Sequence, residues 1–200
     1  MAADGSLEVD AFGPVWTAGW QWPWAVVLAL MLGGNFLLAA DSPLLGAGVL
    51  LGGPLLAAAG VRAVTAESAT LRRTATAELC VAAAEAAGVD ADGRSVYTLS
   101  GGNGSVVGLD AAKRYETTVL LLRAESVSVR VGEVNLLDGS WRLDENAESL
   151  AYGRIEGLEY ADGAVVVSLA DGGRRTYPSD DRPTAALAAL DDRRMDAAST

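Results

Sequence analysis

The chain has no histidine, one cysteine (Cys80) and a single lysine (Lys113), although it carries fourteen arginines. Without histidine there is no imidazole base and no Cys/His zinc site, and a lone cysteine excludes an intrachain disulfide. Basic charge is scarce overall, at 15 Lys and Arg against 26 Asp and Glu, for a formal net charge of -11. Such a balance disfavours general nucleic-acid binding, because neutralising phosphates requires clustered cations. Half of the chain is apolar, yet it holds only two Phe and three Met. With 200 residues, the chain suits one modest domain, or a small membrane unit carrying a small soluble one.

Charge is also missing locally. Residues 1–61 contain no basic residue and only Asp4, Glu8, Asp10 and Asp41 as acids. Residues 11–40 and 42–61 carry no charge at all. The second of these runs, 20 residues long, would rise about 30 Å as a helix, the thickness of a bilayer's hydrocarbon core. The first has Trp16, Trp20, Trp22 and Trp24 at its start, where indole rings favour a membrane interface. Asp41, Ser42 and Pro43 make a sharp turn between the runs. The expectation is a transmembrane helical hairpin over 17–61, with spans at about 20–40 and 43–61, after an acidic tail at 1–16. A buried hairpin in a soluble protein is the competing reading. A cleaved secretory signal fits less well, since the leading segment is acidic and a second apolar run follows. Gly33, Gly34, Gly46, Gly48, Gly52, Gly53 and Gly60 would allow the two backbones to approach closely. Arg62, Arg72 and Arg73 follow the second span, so the positive-inside rule places both termini in the cytoplasm.

Residues 62–94 read as a connecting helix and linker. Leu71, Ala75, Leu79, Ala82 and Ala86 recur at helical spacing, and Gly88 stands where a C-cap belongs. Cys80 lies among small apolar residues, with no base to activate it, and reads as a structural thiol. Ser100–Ser105 (SGGNGS) lacks the spacing of a phosphate loop and is expected as a turn between strands at 95–99 and 105–109.

Beyond Tyr115 the pattern changes to strands: 117–123, 126–131 with alternating Val127, Val129 and Val131, 154–160, 164–170 and 174–178. Residues 141–143 would supply a short additional one, and the count between Asp138 and Glu148 stays open. Asp162-Gly163 and Asp171-Gly172-Gly173 are hairpin turns. A helix from about Arg182 to Arg194, capped by Asp181, closes the chain.

The hairpin of strands VLLLRAESVSVRVG, followed by Ala151-Tyr152, Ile155 and Leu158, an Asp-Gly hairpin and a closing helix, resembles the small PH-like domain of prokaryotic membrane proteins. The resemblance covers about 75 residues. It implies a scaffold for protein, peptide or lipid contact and no catalysis. The composition is similar to that of haloarchaeal proteins, whose many carboxylates keep a surface hydrated in high salt. The acidic clusters, such as Asp144, Glu145 and Glu148, read accordingly as solvated surface.

The expected fold class is α+β: a two-helix transmembrane hairpin plus a small antiparallel-sheet PH-like domain at 95–192 closed by its C-terminal helix, with a tail at 193–200. That domain opens near Ser95 or, on a shorter reading, near Tyr115. The expected role is a membrane-anchored, non-catalytic interaction or adaptor module at the cytoplasmic face. It would touch the lipid bilayer and a protein partner, with no nucleic acid, no cofactor and no metal. The alternatives are an accessory subunit of a larger transport or secretion complex and an enzyme built on acidic residues. The residues singled out are Trp16, Trp20, Trp22 and Trp24 for the membrane interface, and Arg154, Arg174 and Arg175 for headgroup or partner contact.

Overall fold

Helix α3, Pro43–Ala87, is 45 residues long and runs without a break from the apolar segment into the charged one. At about 1.5 Å per residue it extends about 68 Å. Pro43 opens it at a position where a missing N–H costs nothing, and Gly88, in the left-handed conformation (φ 63°), ends it. In the computed structural model residues 3–7, 13–38, 42–89 and 95–199 are described. The expected Asp41 turn therefore lies outside the described residues. The expected boundary between a second span and a separate connecting helix is absent: Ala and Leu on both sides of Arg62 favour helix, and nothing there interrupts it.

Two helices precede it, α1 (Pro14–Trp20) and α2 (Trp22–Leu38). They bend by 100° at Gln21. Helix α2 lies antiparallel to the start of α3, with Gly33 against Gly46 and Ala29 against Gly53. By length and composition α3 is able to cross a membrane, and α1 with α2 passes the same test only as a bent pair.

The remainder is two sheets and a helix. Strand β1 (Ala3–Ser6) joins β2 (Val96–Ser105), β3 (Ala112–Leu122), β4 (Ser126–Asn135) and β5 (Ser140–Ala151) in the order β1-β5-β4-β3-β2. A second sheet holds β6 (Ile155–Ala161), β7 (Ala164–Leu169) and β8 (Arg174–Pro178). All neighbours are antiparallel. The closing helix α4 spans Thr184–Ala198.

The larger sheet is covered on both faces, which explains the continuous apolar run of β3. Val119 and Leu121 face α3, where they meet Leu71, Ala75, Leu79 and Ala83 at helical spacing. Leu120 and Leu122 point the other way, towards Val165, Val167 and Leu169 of the small sheet and Leu190 of α4. Of the expected face of α3, Leu71, Ala75 and Leu79 are buried; Ala83 and Ala84 complete it in place of Ala82 and Ala86. Arg123 and Arg130 donate to the carbonyls of Ala87 and Ala86, placing cations at the helix C-terminus.

Tyr152 and Ile155 serve the turn between the sheets. Tyr152 opens a 3₁₀ turn (Tyr152–Arg154), is buried, and donates its hydroxyl to the Arg123 carbonyl at 3.1 Å. Ile155 is buried in the same core and Leu158 packs at its margin. At Asp162-Gly163 both residues have positive φ (52° and 73°), the signature of a tight primed hairpin turn.

Several expectations change. SGGNGS is not a turn: Ser100–Ser105 continues β2, which pairs with β3 from Val96 to Ser105, and the chain reverses after it. Gly101 sits there because Pro178 packs against it, leaving no room for a side chain. Asp138 and Gly139 end the turn after β4, and Ser140 to Glu148 belongs to one 12-residue strand, β5, whose irregular pairing with β4 near Arg130 and Gly132 obscures its alternation. The 1–16 tail contains β1 and the start of α1. Asp181 does not cap α4, whose N-cap is Pro183, and the helix continues to Ala198 through the expected tail.

Candidate functional site

The four tryptophans separate into two kinds. Trp16 and Trp20 are each 1% exposed and stack edge-on at 5.9 Å between centroids, inside the core formed by α3 and the large sheet. Trp16 donates its indole N–H to the Leu136 carbonyl at 3.0 Å. Both rings face protein, because α1 turns back onto α3 where Gly19 and Gly60 let the backbones touch. Trp24 is 68% exposed, and Trp22, at the first position of α2, donates to the Val107 carbonyl at 2.8 Å. The turns following β2 and β4 are thus both tied to the bend between α1 and α2. Periodicity did not signal these ties, since they join residues 85 and 120 positions apart.

Arg154, Arg174 and Arg175 lie on or beside the small sheet and do not converge. Arg154 pairs with Asp171, Arg174 with Glu159 at 2.9 Å, and Arg175 with Glu148 at 2.7 Å. The Gly173 N–H and the Arg154 guanidinium hold the Asp171 carboxyl below its ordinary range. The Glu148 carboxylate raises Arg175 further above its ordinary value. Each cation is matched by an acid, so the three arginines do not form one unpaired cluster. Replacing all three by Gln is expected to leave the ratio of anionic to zwitterionic lipid retained by the full-length protein in native mass spectrometry unchanged; a marked fall in that ratio would restore them as headgroup ligands.

A different set of residues comes together between α3 and the edge strand β2. Arg72, Arg73, Thr76 and Cys80 from α3 face Thr98 and Ser100 from β2 across a groove of about 470 Å³, closed at one end by the loop that leads into α4. Arg72 is fixed there, 4.9 Å over the Tyr115 ring and 3.5 Å from Asp180, which in turn accepts the Gly102 N–H at 2.9 Å. Ser100 Oγ is buried without a hydrogen-bond partner among the described residues. The groove escapes a reading of the sequence because its two walls belong to different elements, 18–28 residues apart; the paired Arg72-Arg73 on a helix is its only local signal.

Cys80 lines the groove as a protonated thiol: burial pushes its pKa from 9.0 up to about 11. Maleimide labelling of the native protein is therefore expected to be slow at neutral pH and to accelerate towards pH about 11. Between the ordinary thiol value of 9.0 and about 11 the unfolded chain loses this proton first, so stability falls as pH rises through that window. Burial raises Tyr177 to about 12, which acts in the same direction at still higher pH. Fast labelling at neutral pH, equal to that in denaturant, would contradict the buried thiol.

On the sheet face opposite α3, beyond the reach of the small sheet, Glu133 bridges Arg114 and Arg142 at 3.5 and 3.9 Å. These exposed pairs add little stability. No group of three or more potential metal ligands occurs among the described residues. Compared with protein-family models, curated proteins and solved structures, the chain matches none.

Proposed function

We propose that the protein is a membrane-anchored interaction module: a helical hairpin in the bilayer holding a PH-like domain at the cytoplasmic face, with the α3–β2 groove receiving a protein partner. The observation that carries this reading is the unbroken α3, whose apolar first half and sheet-packed second half are one helix. Outward leucines on the paired helices, among them Leu30, Leu32, Leu44, Leu51 and Leu55, give the hairpin the exposed apolar surface that lipid would cover. The succession of four strands, three strands and a closing helix supports the PH-like assignment, with β1 and the α3 cover as additions. Arg62, Arg72 and Arg73 beyond the apolar part of α3 support the cytoplasmic placement. Acidic composition supports a high-salt setting, and the groove offers arginines, hydroxyls and a neutral thiol for recognition.

The test is purification of the full-length protein in mild detergent and high salt, with mass spectrometry of what it retains, for wild type and for Arg73→Glu. A stoichiometric partner on the wild type that is lost from R73E supports the groove as its seat. Outward-facing Gly34, Gly48 and Gly52, which have nothing within 4 Å, favour a second reading as a subunit packed laterally in a larger membrane complex. A partner retained by R73E and lost on Gly48→Leu would select that reading.

A further inference from the structure

The bend between α1 and α2 leaves a shallow, open hollow of about 530 Å³ in its corner, lined by Thr17, Ala18, Gln21, Trp24, Ala25 and Leu28. The opposite face of α1 is sealed against α3 by Trp16, Gly19 and Trp20. The hollow continues directly into the outward apolar surface of α2, where Val27, Leu28, Leu30, Met31 and Leu32 are exposed. No charged residue occurs anywhere from 11 to 40, so an occupant bearing charge would meet no counter-charge there.

We propose that this inner corner is a binding site for one glycerolipid of the leaflet on the side of the sheets, an inference that rests on the hairpin spanning the bilayer. With α2 crossing the membrane, the 100° bend lays α1 close to the plane of the interface, and its inner side faces the lipid. One acyl chain lies along Ala25 and Leu28, under Ala18. Thr17 and Gln21 are neutral hydrogen-bonding side chains at the upper wall and meet the oxygens of the glycerol backbone. The indole of Trp24, apolar with a polar N–H, forms the lip at the depth such rings prefer. The site recognises the glycerol and chain region and has no means of selecting a headgroup by charge.

The test uses the full-length protein in phosphatidylcholine vesicles in which one acyl chain is brominated near its middle, with Trp24 emission taken as the difference between wild type and Trp24→Phe. Ala18→Leu with Ala25→Leu fills the corner, and Ala18→Val alone provides a milder filling should the double variant fail to fold. The expected result is strong quenching of Trp24 in wild type, several-fold weaker in the filled variant, and a phosphatidylcholine retained in native mass spectrometry by wild type only. Equal quenching and equal retention in both proteins would overturn the site while leaving the spanning hairpin intact. If brominated lipid quenches no tryptophan in any of the proteins, the membrane-spanning reading falls and the lipid site with it.

Discussion

Trp16→Ala is expected to lower stability by about 3–5 kcal/mol, the usual range for removing a large aromatic side chain from a packed core. The indole is 1% exposed, contacts Trp20 edge-on, and satisfies the Leu136 carbonyl, which the substitution would leave without that donor. Its position in the chain makes the expectation unusual. Trp16 lies in the leading apolar segment, yet the core it completes belongs to α3 and the large sheet. Denaturant unfolding of the detergent-solubilised protein, followed by loss of the sheet signal in circular dichroism, should show the W16A transition well below that of wild type. Trp24→Ala, at an exposed position, should leave it nearly unchanged. Equal effects of the two substitutions would mean that α1 does not stabilise the sheet domain. The same packing predicts that a fragment lacking residues 1–61 is poorly stable, since Leu7, Trp16 and Trp20 all belong to this core.

Gly60→Leu should be at least as damaging. A Cβ at Gly60 would overlap the backbone nitrogen of Gly19 and the carbonyl of Val15, and backbone cannot swing aside as a side-chain end can. Overpacking alone costs about 1–3 kcal/mol, and more where the obstacle is rigid. Moving α1 off α3 would also pull Trp16 from Leu136 and Trp22 from Val107, so the combined loss should exceed about 3 kcal/mol. Size-exclusion behaviour and thermal unfolding of G60L against Gly34→Leu provide the comparison. A side chain at Gly34 meets nothing within 4 Å, and that variant should behave as wild type. An unperturbed G60L protein would refute the close crossing of α1 and α3.

Local signals carried much of this architecture. The Asp162-Gly163 turn and the Gly88 cap each record a backbone requirement within a few residues, and each is realised; the alternation of Val127, Val129 and Val131 holds only in part, since Val131 is half-buried and Ser128 is buried because the sheet is covered on both faces. Tyr152 and Ile155, singled out only through the resemblance, are both buried at the turn between the sheets. Other features left no local trace. β2 runs through a glycine-rich stretch because Pro178 and Ala112 press on Gly101 and Gly102, a tertiary cause that composition reads as a turn. The tryptophans at the start of the apolar segment invite a single explanation, yet the bend at Gln21 divides them into core and surface. The groove depends on side chains of α3 and β2 coming together, which the pattern of neither segment records. The arginines of the small sheet suggested a patch because their acidic partners lie up to 27 residues away.

The unbroken α3 also settles a question of rotational phase. From Arg62 to Ala87 it advances 26 residues, about 39 Å, and each residue turns the helix by about 100°. Gly60 is locked to Gly19 at one end of this stretch, while Leu71 is locked into the sheet core. The sheets therefore stand at one azimuth relative to the helical hairpin, and the segment between those two contacts has no slack. A single residue inserted there would demand that everything beyond it rotate by more than a quarter turn, against two indole ties that hold the turns after β2 and β4 in place. A partner seated in the groove, as proposed, would meet a surface with a fixed heading and would turn only together with the hairpin.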